Sequence, residues 1–104
     1  YPDFAGPLCR AVAEGRCERG ILVCGTGIGM SIAANKVRGI RAALVHNQAT
    51  ALLAAQHNGA NVLCLGGRLL SPEEASAMVA AWLDATFEPR HQARLDKISA
   101  LECK

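Results

Sequence analysis

The chain has 104 residues, of which 51% are apolar and 19% charged, and its formal net charge is +2. This length accommodates one domain with one core, and the apolar content argues against disorder. The small charge and the lack of a basic and aromatic stripe exclude nucleic acid as the main partner, and no apolar run approaches the ~20 residues of a membrane span.

Five cysteines occur without any Cys-x-x-Cys spacing, which favours reduced thiols in a cytosolic protein. Neither these cysteines nor the three histidines fall at the spacing of a zinc finger. No structural metal site is therefore predicted.

Hydrophobic periodicity and turn residues predict strands that alternate with helices. In chain order we expect a helix to residue 14, a strand over 19–24, a helix over 29–36, a strand over 40–45, a helix over 48–57, a strand over 61–65, and helices over 72–85 and 90–101. This alternation predicts one α/β domain over residues 1–104, with a parallel sheet and right-handed crossovers.

Capping residues mark several of the predicted helix ends. Asp3 and Asn47 are predicted N-caps, and a capping box begins at Ser71. Gly15 and the Asn58-Gly59 pair are stop signals. The last two helices are expected to bury apolar side chains, namely Met78, Val79, Trp82, Leu83, Leu95 and Ile98.

Polar residues follow the carboxyl ends of all three predicted strands. These residues are Cys24, His46 and the segment 66–68. Because the carboxyl ends of parallel strands share one edge of a sheet, we expect these groups to meet in one crevice.

The most informative segment is 20–36, in which an apolar strand ends at Cys24 and three alternate glycines precede a helix. Backbone N–H groups of such a turn can close around an anion. Met30 replaces the third glycine of a dinucleotide fingerprint, and no Walker lysine follows. The predicted ligand is therefore a smaller phosphate or sugar oxygens, and the alternative is a turn that only lets the helix pack.

Several single residues carry both a functional and a structural interpretation. Cys24 lies where a helix N-terminus can lower a thiol pKa, whereas Cys64 lies inside a strand and is expected in the core. His57 is either a general acid or base, or a partner of the helix dipole. Arg90 and Arg94 are four residues apart, which suits a phosphate clamp or a solvated basic face.

Four motifs together resemble ribose-5-phosphate isomerase B and its sugar-phosphate isomerase relatives. They are residues 21–36, Gln56-His57-Asn58 with 61–63, Gly67-Arg68, and Arg90-His91-x-x-Arg94. The resemblance covers essentially the whole chain and implies a Rossmann-like parallel sheet with helices on both faces. It also implies a cytoplasmic aldose–ketose isomerase without metal or cofactor, which moves a proton between C1 and C2 of a phosphosugar through an enediolate. Ribose 5-phosphate is the expected substrate.

The resemblance also implies a role for each matching residue. Cys24 is the implied base with Thr26 beside it, and His57 is the implied acid that opens the sugar ring. Some relatives use a glutamate at the position of Met30, and methionine there favours the cysteine. The implied substrate-binding residues are Gly25, Gly27, Ile28, Gly29, Ser31, Asn58, Arg68, Arg90 and Arg94, with the amides of 25–31 holding the developing oxyanion. Sites shared between subunits imply a homodimer or tetramer.

The chain departs from this family at its beginning. The family opens with a strand, a helix and a second strand, with an Asp-His pair that touches substrate, and none of these precedes the first helix here. A βαβ unit takes about 30 residues, so we expect a C-terminal portion of a longer isomerase, with an exposed edge on the strand of Cys24. The alternatives are an isomerase of allose, galactose or tetrose phosphate, a non-catalytic sugar-phosphate-binding fragment, and a lactose-pathway subunit that needs a second gene product.

Overall fold

The computed structural model describes residues 2–102 and confirms the predicted α/β class. Its elements are α1 (Pro2–Ala13), β1 (Gly20–Cys24), α2 (Ile28–Ala34), β2 (Ala42–Leu44), α3 (Gln48–Gln56), β3 (Val62–Gly66), α4 (Pro72–Asp84), a 3₁₀ turn (Pro89–His91) and α5 (Gln92–Ser99). Among residues 2–102, no helix has the length and apolar character needed to cross a bilayer.

The three strands form a parallel sheet in the order β1-β3-β2. The central strand β3 is buried at every position. Its alternate residues face opposite sides: Val62 and Cys64 pack with α1 and α2, whereas Leu63 and Leu65 pack with α3 and α4. Helices therefore cover both faces of the sheet, as the strand pattern of a parallel sheet requires.

Two predicted N-caps are confirmed, and each forms a reciprocal capping box. The Asn47 side chain accepts a hydrogen bond from the Thr50 amide at 2.8 Å. Ser71 Oγ accepts one from the Glu74 amide at 3.1 Å, and the Ser71 amide donates to the Glu74 carboxylate. The sequence-predicted cap at Asp3 is wrong, because α1 begins at Pro2 and Asp3 lies within its first turn.

The predicted last helix is divided in two. Pro89 has a φ suited to the first position of a turn and opens the 3₁₀ segment, and α5 starts only at Gln92. Leu95 is buried as predicted, but Ile98 is exposed. In α4, Trp82 is fully buried. Leu83 is exposed, since successive helical residues point about 100° apart.

Strand β1 lies at an edge of the described sheet. It pairs with β3 alone among residues 2–102, and Val23 on this strand is 52% exposed. The expected apolar edge is thus present in this part of the chain, and it ends at Cys24.

Candidate active site

The loop between β1 and α2 is shaped by one glycine in the left-handed region. Gly27 has φ +80°, and a Cβ there would lie 2.5 Å from Leu44 Cδ1 and 2.9 Å from the carbonyl carbon of Leu65. A side chain would therefore be strained by both conformation and contact. The glycine lets the loop lie directly against the ends of β2 and β3, beside Cys24.

The Cys24 thiol faces this loop. The Gly27 amide donates a hydrogen bond to Cys24 Sγ, with an N–Sγ distance of 3.2 Å. The pKa of Cys24 is lowered, chiefly by the amide N–H of Met30; partial burial acts against this, and the amides of Gly27, Thr26 and Gly29 lower it further. Backbone dipoles thus favour the thiolate, which is the form that can accept a proton.

The other buried thiols behave in the opposite way. Burial raises the pKa of Cys64 to about 12, with smaller contributions from Cys9 and Cys24. Burial also raises the pKa of the Cys9 thiol. The prediction that Cys64 belongs to the core is confirmed, since it is fully buried in the centre of the sheet.

The end of β3 places a cation over the glycine loop. The Gly67 amide donates to the Cys24 carbonyl at 2.7 Å, and the Arg68 amide donates to the Gly25 carbonyl at 3.0 Å. The Arg68 guanidinium covers Gly25 so closely that a Cβ there would lie 3.1 Å from its central carbon. A positive charge therefore lies next to the loop that holds the thiol.

Hydroxyl groups flank the same loop. Thr26 Oγ1 accepts a hydrogen bond from the Ile28 amide at 3.2 Å, so its own proton is free to be donated elsewhere. Ser31 Oγ donates to the Ile28 carbonyl at 2.8 Å, and the Ser31 amide donates to the Gly27 carbonyl at 3.0 Å. Both donors of Ser31 are thus engaged within the loop and α2 in this structure.

His46 lies at the same edge of the sheet but away from the thiol. It follows β2, which is separated from β1 by β3, and its side chain is exposed. Its amide lies 3.4 Å from Thr50 Oγ1. The predicted crevice therefore brings together Cys24 and segment 66–68, while His46 stands on the far side of β3.

His57 lies at the opposite, amino-terminal end of the strands, which we call the amino edge of the sheet. Helix α3 runs back from the carboxyl edge, and His57 caps its C-terminus before β3 begins at Val62. The length of β3, about 13 Å, separates this edge from that of Cys24. Within one chain, the implied base and the implied acid are thus far apart.

Around His57 the chain gathers a polar cluster. His57 Nε2 lies 3.8 Å and His91 Nε2 3.6 Å from Glu88 Oε1, and the two imidazole centroids are 4.4 Å apart. Arg90 Nη2 binds the same Glu88 oxygen at 2.9 Å. Asn58 and Arg94 are exposed on the neighbouring surface.

Burial and neighbouring cations favour the neutral form of one imidazole in this cluster. The pKa of His91 is lowered, first by burial and then by Arg90, His57 and Arg94, while Glu88 acts in the opposite direction. Sequence reasoning missed Glu88. The available signal was a carboxylate just before Pro89 and three residues before His91, a spacing that a single turn brings together.

Comparison with known proteins supports a single family. The sequence model of the Ribose/Galactose Isomerase family matches residues 1–98. The chain is 48% identical to ribose-5-phosphate isomerase B of Escherichia coli K12, covering 98% of this chain and 69% of that protein. It is 50% identical to D-erythrulose-4-phosphate isomerase of Pectobacterium atrosepticum, covering 98% of this chain and 68% of that protein.

The backbone of this chain is also similar to that of a solved structure. Type B ribose 5-phosphate isomerase of Trypanosoma brucei superposes with a TM-score of 0.95 at 53% identity, covering 98% of this chain and 70% of that one. Sequence and backbone similarity thus extend over nearly the whole of this chain. The chain belongs to the ribose/galactose isomerase family of sugar-phosphate isomerases.

Proposed function

We propose that this chain interconverts ribose 5-phosphate and ribulose 5-phosphate, with Cys24 as the base. The observation that carries the proposal is the thiol at the end of β1, whose pKa is lowered by the amides of the loop and of α2. A thiolate at this position can accept a proton, and the lowered pKa increases the fraction of thiolate at any given pH. The Arg68 guanidinium, which lies over Gly25, adds positive charge beside it.

The reaction follows from these groups. Cys24 Sγ takes the proton from C2 of the open-chain aldose, the C–H electron pair forms a C1–C2 double bond, and the C1 oxygen becomes negative. The amides of the glycine loop and Arg68 stabilise that oxyanion. The O2 proton then passes to O1, the C2–O bond becomes the carbonyl, and the electron pair of the C1–C2 double bond takes the proton back from Sγ at C1, which gives the ketose and restores the thiolate. The Thr26 hydroxyl can donate a hydrogen bond to the developing charge.

Residues at the amino edge of the sheet are proposed to open the sugar ring and to bind the phosphate. His57 is the proposed acid, Asn58 the contact to a ring hydroxyl, and Arg90 and Arg94 the phosphate ligands. Because these residues are separated from Cys24 by the length of β3, a second copy of the chain supplies them in the proposed homodimer. Each of the two sites then combines the thiol loop of one protomer with the His57 surface of its partner.

Two further proposals concern the domain and its surroundings. The two apolar clusters share the central strand β3, which supports one α/β domain over residues 1–104.

Cys9, Cys17, Cys24 and Cys64 are free thiols, which supports a reducing, cytoplasmic location.

Erythrulose 4-phosphate is the second candidate substrate. The Pectobacterium atrosepticum relative named for that sugar matches this chain as well as the Escherichia coli relative named for ribose 5-phosphate. Erythrulose 4-phosphate is one hydroxylated carbon shorter than the ketose ribulose 5-phosphate, so a comparison of kcat/KM on these two ketoses decides between them.

The test of the cysteine base is the Cys24→Ala variant. We expect turnover to fall by about 10²- to 10⁴-fold, the usual range for loss of a general base, while binding of the phosphosugar survives. Exchange of the C2 proton with solvent, followed by NMR, reports the chemical step directly. The exposed Cys17 provides the matched control, since Cys17→Ala also removes a thiol.

The outcomes separate the alternatives. Unchanged turnover in Cys24→Ala would exclude the thiol as base. A wild-type chain that binds phosphosugars without turnover would be a non-catalytic binding protein. Activity that appears only on mixing with a second gene product would indicate a subunit of the lactose-pathway type.

A further inference from the structure

The cluster at the amino edge of the sheet contains two imidazoles and one carboxylate. One potential ligand atom from each of His57, Glu88 and His91 lies within 4.8 Å of the other two. The two nitrogens nearest the carboxylate are 3.6 and 3.8 Å from Glu88 Oε1. The three groups therefore converge on one point.

One member of the cluster has an unsatisfied buried nitrogen. His91 is 5% exposed, and its Nε2 has no hydrogen-bond partner among residues 2–102. Leaving a buried polar atom unpaired costs about 1–3 kcal/mol, so such an atom normally has a partner in the native protein. The side chain that carries this nitrogen is directed at Glu88. Within the described chain, this nitrogen is therefore a polar atom that still lacks a partner and faces a carboxylate.

The backbone holds the three side chains in place without the help of any ligand. The Glu88 amide donates to the Gln56 carbonyl at 2.8 Å, which fixes Glu88 next to His57. The His91 amide donates to the Glu88 carbonyl at 3.1 Å and closes the turn that contains Pro89. Two separate segments are therefore joined at the point where the ligand atoms meet.

We propose that His57, Glu88 and His91 form a binding site for a divalent transition-metal ion, with Zn²⁺ as the best match. Two histidines and one carboxylate with an open fourth position are an established zinc ligand set. Tetrahedral ligands at ordinary zinc distances lie about 3.4 Å apart, so the two pairs with Glu88, at 3.6 and 3.8 Å, need to move by only a few tenths of an ångström. The ligand atoms of the two imidazoles lie within 4.8 Å of each other, and this pair closes further on the metal. The imidazoles select against Mg²⁺ and Ca²⁺, which prefer oxygen.

One side chain competes with the metal. Arg90 donates to Glu88 Oε1 through Nε at 3.2 Å and Nη2 at 2.9 Å. Its side chain is 69% exposed and can turn into solvent without leaving a cavity. The metal therefore displaces a surface ion pair, which contributes little in water.

Metal binding has a functional consequence that rests on the proposed function. Coordination of His57 Nε2, the nitrogen that faces Glu88, puts the metal where a proton would bind, so the imidazolium acid needed for ring opening cannot form. The metal is thus an inhibitor of the isomerase and not a cofactor. Binding and inhibition are separate observables, so failure of one does not hide failure of the other.

The test uses Co²⁺ alone as the probe, added to the full chain under reducing conditions. We expect one equivalent to give the visible d–d absorption of four-coordinate Co²⁺, without the near-ultraviolet charge-transfer band of a thiolate ligand, and Zn²⁺ to abolish it. His57→Gln and Glu88→Gln should each weaken binding by at least 10- to 100-fold, the loss typical of even an outer-shell change. His46→Gln, which removes an exposed histidine at the other edge, should bind like the wild type.

Each outcome of the Co²⁺ and Zn²⁺ experiments either supports or overturns part of the proposal. No Co²⁺ absorption, or absorption that persists in both variants, would overturn the metal site. Circular dichroism of the Glu88→Gln variant confirms that its fold is kept, since the Glu88 amide contact is unchanged. Zn²⁺ inhibition of turnover that a chelator reverses, and that the Glu88→Gln variant lacks, supports the site and the role of His57 together, whereas inhibition that persists in this variant would place the inhibitory metal elsewhere. Binding without inhibition supports the site and refutes the role of His57.

Discussion

The pKa values of two cysteines in the same sheet are shifted in opposite directions because of where the residues lie along their strands. Cys64 is surrounded by apolar side chains within β3, and burial raises its pKa to about 12. Cys24 ends β1, where amides of the following loop and helix lower its pKa, that of Met30 most. A strand end exposes a side chain to backbone donors that a strand interior uses for pairing. The position of each cysteine along its strand therefore decides the direction in which its pKa is shifted.

This difference predicts selective alkylation. In the folded chain, iodoacetamide should modify Cys24 with a rate that levels off at a pH below the usual thiol pKa, because the thiolate is the nucleophile. Cys64 should stay unmodified until the chain unfolds. Peptide mass spectrometry after timed labelling at several pH values measures both rates. A Cys24 rate that rises only at or above the ordinary thiol pKa would contradict the lowered pKa.

At the scale of elements, the loop between β1 and α2 depends on Gly27. Gly27→Ala should destabilise the fold by about 1–2 kcal/mol from the left-handed backbone and by a further ~1–3 kcal/mol from contact with Leu44 and the Leu65 backbone. Gly15 is the matched control, because it has φ +82° and no atom lies within 4 Å of the place that an alanine Cβ would occupy. Urea denaturation of both variants measures the difference, and equal losses would show that the close packing is unimportant.

The start of α4 is fixed by the capping box at Ser71. Ser71→Ala removes the acceptor for the Glu74 amide and should lower the free energy of unfolding by about 1 kcal/mol. Ser76→Ala, at an exposed position of the same helix, should be neutral or slightly stabilising because alanine is the better helix former. Thermal denaturation compares the two variants. Equal changes would mean that the cap does not stabilise α4.

At the scale of the whole molecule, the two halves of the proposed site lie at opposite edges of one sheet. If two copies combine them, Cys24→Ala and His57→Gln damage different halves. When the two variants are co-expressed in equal amounts, about half of the dimers should be heterodimers. Each heterodimer has one intact site out of two, so about one quarter of the wild-type activity should be recovered. Each variant alone should be inactive, and no recovery on mixing would refute the shared site.

The sequence predicted much of this arrangement because local signals and tertiary packing agree. The alternation of apolar segments with capped helices identified three parallel strands and the helix starts at Asn47 and Ser71. The predicted helix starts at Asp3 and Arg90 are less accurate. In the structure a proline, Pro2 or Pro89, is the first residue of the turn in each case. The reactive position of Cys24 followed from a strand signal, a glycine turn and a helix signal within one short segment.

The distances between segments could not be derived from the sequence. Strand ends and turn chemistry are local, so the sequence alone determined the α/β class, the glycine loop and the thiol that it holds. Only the tertiary structure decided that β3 separates His46 from Cys24, that His57 lies at the other edge, and that Glu88 and a buried His91 join it. These contacts link residues up to 34 positions apart, from His57 to His91, and they exist only once helices α3 and α4 have packed.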